Sequence, residues 1–90
     1  MKKQFIIIRE YCRKSHTDPT FLLNLAQYGL IELSTIQGEL CLPHSQLQEI
    51  ERYSHLYYDL SINFEGIDAI RHLLHRIQTL QQELNQLRQS

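Results

Sequence analysis

Tryptophan is absent from this sequence, and cysteine, proline and glycine occur only two, two and three times in 90 residues. Each scarcity excludes something. Three glycines cannot furnish most phosphate-cradling loops, and no phosphate loop or Gly-x-Gly-x-x-Gly run occurs. Cys12 and Cys41 allow at most a single disulfide and no paired-cysteine zinc motif. The apolar run Phe5-Ile6-Ile7-Ile8 is too short for the hydrophobic region of a signal peptide. No stretch approaches the roughly 18 apolar residues that a membrane span needs. These features predict a cytoplasmic protein outside the membrane, with both thiols free and serving as small core hydrophobes.

Catalytic pieces are equally scarce. His72 and His75 lie one helical turn apart, but neither a cysteine nor a third histidine stands beside them at ligand spacing. Ser15-His16 and His44-Ser45 are neighbours with no acid placed to orient the imidazole and no identifiable oxyanion donor. The sequence therefore predicts no enzyme, no metal site and no cofactor.

What remains is a small helical domain with a segmented charge. A hydrophobic content of 42% argues against disorder, and with few aromatics the core must come from Leu and Ile. Ninety residues make one domain, of a size that often leans on a partner subunit for stability. The net charge of −1 hides three zones. Residues 2–14 hold five basic groups and one acid, residues 15–68 hold eight acids and only Arg52, and residues 69–90 hold three arginines and Glu83.

Along the chain, β-branched Phe5–Ile8 reads as a short buried strand. A short helix from Arg9 to Ser15 turns Tyr11 and Cys12 inward. Asp18-Pro19 is a helix start, with Asp18 capping free N–H groups and Pro19 at the first helical position. The second helix runs from Phe21 to Tyr28, and Gly29 ends it in a left-handed conformation. Two short helices with a tight break form a helix-turn-helix candidate. Ile31–Ile36 and Glu39–Leu42 flank Gln37-Gly38 as a small hairpin. Pro43 opens a third helix to about Asp59, with Leu47, Ile50, Tyr53, Tyr57 and Leu60 on its apolar face. Leu60-Ser61-Ile62 breaks it, and Asn63 caps the last helix.

That last helix carries the strongest periodicity. Ile70, Leu73, Ile77, Leu80, Leu84 and Leu87 recur at alternating spacings of three and four, filling every a and d position of nearly three heptads. Outside the stripe the tail is mostly Gln, Arg, His and Asn, so a partner helix must cover it. His72 and His75 fall on the outward side of the heptad. These residues predict a homodimer interface; the flanking Arg76, Glu83 and Arg88 fit parallel and antiparallel pairing alike.

Strand, two short helices, a wing, a third helix and a long coiled-coil helix is the order of a MerR-like winged helix-turn-helix regulator. Two stretches sharpen the likeness. Ile8-Arg9-Glu10-Tyr11-Cys12 leads through Phe21 to Tyr28-Gly29-Leu30-Ile31-Glu32, closing the helix-turn-helix. Asp59-Leu60-Ser61-Ile62-Asn63-Phe64-Glu65-Gly66-Ile67, followed by Leu73-Leu74, Arg76-Ile77, Leu80 and Glu83-Leu84, resembles the CbpM-like chaperone-modulator branch. The likeness spans residues 5–88. It implies an all-α fold with a small β-wing, a winged helix-turn-helix over residues 1–62 and a dimerisation helix over 63–90, together one structural unit. It also implies a partner: the J-domain of a CbpA- or DnaJ-like co-chaperone, kept from acting on its heat-shock chaperone.

DNA binding fits the residues poorly. MerR-like regulators place arginine and tyrosine on the second helix and tyrosine-arginine in the wing. Here the matching positions are Leu23 and Asn24, then Glu39 and Leu40. No Lys or Arg occurs from Ser15 to Glu51, whereas Asp18, Glu32, Glu39, Glu49 and Glu51 do. A surface entering a DNA groove normally carries a basic stripe. An acidic surface suits a basic protein such as a J-domain. Tyr57, Tyr58, Asp59, Glu65 and Asp68, gathered at the junction of the third and fourth helices, are the expected contact residues. The alternative is a MerR-type or excisionase-like transcriptional regulator that meets DNA through Lys2, Lys3, Arg9, Arg13 and Lys14.

Overall fold

A computed structural model describes residues 4–89; Lys2, Lys3 and Ser90 lie outside them. Three strands form one antiparallel sheet in the order β1-β3-β2, with β1 at Phe5–Ile7, β2 at Ser34–Ile36 and β3 at Glu39–Pro43. The N-terminal strand is not buried as the sequence suggests. Phe5 is 40% exposed, because β1 is an edge strand paired from Phe5↔Pro43 to Ile7↔Cys41. Burial begins at Ile8, the first residue of α1 (Ile8–Ser15), where Ile8 and Cys12 share the inward face.

Helix α2 (Pro19–Gln27) starts as its sequence dictates: the Asp18 carboxylate accepts from the Thr20 N–H at 2.9 Å, and Pro19 opens the first turn. Gly29 ends it at φ 73°, and the Leu30 N–H returns to the Leu25 carbonyl at 2.9 Å. Leu30 and Ile31 then both enter the core. The chain bends at both residues, so the hairpin starts at Ser34 and not at Ile31. Here the Gln46 side chain bridges Glu32, accepting from its N–H at 2.8 Å and donating to its carbonyl at 2.9 Å. The wing turns at Gln37 (φ 51°) and Gly38 (φ 78°), both left-handed, as a type I′ hairpin requires.

The third helix departs furthest from expectation. Pro43 closes β3, a 3-10 turn spans His44–Gln46, and α3 covers only Leu47–Ser54. The chain then widens into a π-helical turn, His55–Asp59, closed by a 3.2 Å bond from the Leu60 N–H to the His55 carbonyl. Leu60, expected inward, is exposed, and Tyr57 is only half-buried.

Leu22, Leu25, Leu42, Ile50 and Ile67 are the largest fully buried side chains. One cluster joins them to Ile8, Cys12, Phe21, Leu30, Ile31 and Tyr53. Cys12 and Cys41 are both buried and unbonded, and burial, helped by the Asp18 charge, pushes the Cys12 thiol above its ordinary pKa. Helix α4 (Phe64–Gln89) is capped by Asn63, whose side chain accepts from the Gly66 N–H at 2.8 Å. Its 26 residues extend about 39 Å, yet Ile67 is the one buried residue among those described in it. The radius of gyration is accordingly 15.8 Å, against about 12 Å for a compact domain of this length.

Candidate functional site

Two surfaces flank the helix-turn-helix. The first lies between α1, the start of α2 and the wing, where Ile8, Cys12, Pro19 and Leu40 line a hollow of about 560 Å³. Around it α2 exposes Thr20, Leu23 and Gln27, and the wing exposes Thr35, Ile36 and Leu40. Arg9 at the rim is turned onto the wing's Glu39 at 3.2 Å. Of the two arginines that line the hollow, Arg9 is paired with the wing and Arg13 stands exposed at its α1 side.

The second surface is aromatic and lies where α2, the π-turn and α4 meet. Phe21 stands 5.3 Å from Tyr57, 5.1 Å from Tyr58 and 5.9 Å from Phe64, measured between ring centroids. Tyr57 stacks on Phe64 at 4.6 Å and meets Tyr58 edge-on at 5.0 Å. Tyr28 stacks on the Phe64 ring at 5.5 Å. Offset and edge-to-face contacts at these separations are the attractive ones for aromatic quadrupoles. The π-turn explains how adjacent Tyr57 and Tyr58 both reach Phe21: a wider turn rotates less per residue than the 100° of an α-helix. Above the rings the Tyr28 hydroxyl donates to Glu65 Oε1 at 2.6 Å. That bond holds the Glu65 carboxyl below its ordinary pKa and the Tyr28 phenol above its own.

The architecture of helix-turn-helix, wing and long terminal helix agrees with the sequence match to the family described as MerR HTH family regulatory protein, over residues 6–89. The chain belongs to the MerR helix-turn-helix family. No curated protein and no solved structure matches it. No helix among the described residues is long and apolar enough to cross a membrane, and no group of three or more metal-ligating side chains occurs there.

In this MerR-family chain the expected contact residues divide among three partners. Glu65 faces Tyr28. Asp59 joins the His55 imidazole at 2.7 Å on the exposed π-turn. Asp68 pairs with Arg71 at 2.9 Å and lies 3.5 Å from His72, on its own helix. Tyr57 and Tyr58 sit in the aromatic cluster, which Glu65 meets only through the Tyr28 hydroxyl. Phe21, Tyr28 and Phe64, which sequence reasoning did not assign to the site, complete it. Periodicity could not have found them, because the Tyr28–Glu65 bond spans 37 residues of sequence.

The heptad stripe divides as well. Ile70 is half-buried and, with Arg52, Tyr53, Leu56, Arg71 and Leu74, lines a groove of about 500 Å³ between α3 and α4. Leu73, Ile77, Leu80, Leu84 and Leu87 are exposed along the rest of α4.

Proposed function

We propose that this MerR-family chain is a non-enzymatic, protein-binding regulator that works as a homodimer. Its partner on this reading is the J-domain of a CbpA- or DnaJ-like co-chaperone, which it restrains from acting on a heat-shock chaperone. One observation carries the protein-binding half: α2 and the wing, the elements a DNA reader would present, expose Thr20, Leu23, Gln27, Ile36 and Leu40 and no lysine or arginine. Duplex DNA carries a charge about every 1.7 Å of its axis, and binding it depends on cations that displace counterions. Arg9 is paired with Glu39, which leaves Arg13 and Lys14 of α1 as exposed cations on the described part of that flank. The J-domain as partner rests on the resemblance to the chaperone-modulator branch and on the acidic middle of the chain, which complements a basic helix.

Dimerisation is supported by Leu73, Ile77, Leu80 and Leu84, which lie in one stripe and remain in solvent. Burying each stabilises by roughly 1.5–3 kcal/mol, so a matching stripe on a second copy is a sufficient partner.

Calorimetric titration of the full chain with a J-domain from the same organism, beside a random DNA duplex, tests the proposal. Saturable micromolar or tighter binding to the J-domain and none to DNA is the expected outcome. Binding to DNA alone would overturn it in favour of a MerR-type or excisionase-like transcriptional regulator.

A further inference from the structure

We propose that the groove between α3 and α4 is a binding site for a small organic acid, a single carboxylate on an aliphatic or aromatic body. This site lies apart from the aromatic cluster and from the leucine stripe, and it stands whether or not a J-domain is the protein partner.

The first argument is the groove itself. Tyr53, Leu56, Ile70 and Leu74 give it an apolar lining, and Arg52 and Arg71 stand in the same walls. Its volume of about 500 Å³ suits a small ligand, for which sites of roughly 300–1,000 Å³ are usual. At 100° per residue, Arg71, Leu74 and Gln78 share a face of α4 roughly 130° round from the leucine stripe. A second copy seated on the stripe therefore leaves this face open, and Ile70 is the one stripe residue that also lines the groove.

The second argument is an unmet donor. The Nε–H of Arg71 is buried and meets no acceptor among the described residues, an arrangement that folded proteins avoid. Arg71 spends Nη2 on Asp68 at 2.9 Å, and Arg52 reaches Glu49 only at 3.8 Å, beyond hydrogen-bonding distance. A guanidinium has donors and no acceptor, so only an acceptor satisfies these groups. A carboxylate takes Nε–H and an Nη–H side by side once the Arg71 head turns toward the groove. His72 and His75, which lack the third ligand of a metal site among the described residues, line the same groove and add polar edges to it. The apolar lining disfavours a bare inorganic anion. Glu49, the one carboxylate among the described lining residues, repels a second acid group on the ligand.

The test is a titration of the full chain with octanoate, kept below micelle formation and followed in NMR by the methyl resonances and the Arg71 Nε–H. Octanol, which lacks the charge, and acetate, which lacks the apolar body, are the comparisons. Saturable shifts at Arg71 Nε–H, Leu56, Ile70 and Leu74 are expected with octanoate, with affinity about tenfold or more weaker for octanol and no saturation by acetate. Arg71→Gln removes the guanidinium, and Leu74→Ala removes apolar lining at a position already 38% exposed. Each is expected to weaken octanoate binding by about fivefold or more, with an unchanged circular dichroism spectrum. Shifts confined to the leucine stripe, equal affinity for octanol, or full affinity in either variant would overturn the site. Absence of saturable binding to wild type would overturn it as well; if the Leu80→Asp, Leu84→Asp double variant then binds octanoate, a second copy fills the groove. Octanoate binding in the groove without J-domain binding would overturn the J-domain reading alone, and the reverse result would overturn this site alone.

Discussion

Gly66 occupies the first turn of α4, where the helix passes close to the residues that introduce it. A Cβ built there would lie 2.8 Å from Ile62 Cγ2 and 3.1 Å from Asn63 Oδ1. The first atom belongs to a stiff β-branched side chain, and the second is the acceptor that caps the helix. Gly66→Ala would gain about 1 kcal/mol of helix propensity but lose about 1–3 kcal/mol to overpacking. A net loss is expected, read as a Tm several degrees lower in a thermal melt; a higher Tm would show that Ile62 moves aside freely. Tyr28 and Glu65 carry a pH signature. The hydrogen bond lowers the Glu65 pKa from its ordinary 4.5, so its contribution is present above that value and is lost as pH falls through the folded-state pKa. Wild type should therefore lose stability on acidification below about pH 4.5 more steeply than Glu65→Gln, in chemical denaturation across pH 2–6. Identical slopes would mean that the bond does not persist in solution.

At the scale of elements, the π-turn and α4 hold most of what is distinctive. The turn ends with Ser61 at φ 57°, a left-handed position that a non-glycine residue occupies at a cost of roughly 1–2 kcal/mol. The Ile62 N–H returns to the Leu56 carbonyl at 3.0 Å, so this strained corner sets the angle at which α4 departs. Beyond Gln78 the side chains of α4 are exposed through Gln89. Leu80 and Leu84 are 59% and 47% exposed, so charging them would disturb no core residue of the single chain. Leu80→Asp with Leu84→Asp places charges in the proposed dimer seam, where desolvation is unfavourable. The double variant should sediment as a monomer in analytical ultracentrifugation and keep the helical spectrum of the winged domain. Sedimentation like wild type would remove α4 as the seam.

The whole molecule is a compact winged domain with a projecting helix, and the two differ in how they are stabilised. Every residue of the buried cluster lies between Ile8 and Ile67. Deleting residues 79–90 should therefore leave a folded winged domain and abolish the proposed dimer. Its Tm should become independent of protein concentration, whereas that of the full chain should rise with concentration. A truncated chain that is unfolded by circular dichroism would mean that the small core needs its partner copy.

The sequence by itself determined the order of the elements, the Asp18-Pro19, Gly29 and Asn63 boundaries, and the length of α4. Each of these is written in neighbouring residues: a cap acceptor, a fixed φ, or a repeat at helical spacing. The MerR-like architecture followed from that order, as the match over residues 6–89 bears out at the level of the family. Only the tertiary structure decided that β1 joins the wing's sheet, that the third helix breaks into 3-10, α and π segments, and that Phe21, Tyr28 and Tyr57 gather around Phe64. Strand pairing and ring stacking depend on which surfaces meet after the chain has folded back on itself. Tyr28 and Glu65 become partners across 37 residues because α2 and α4 share one core, a fact that no local spacing records.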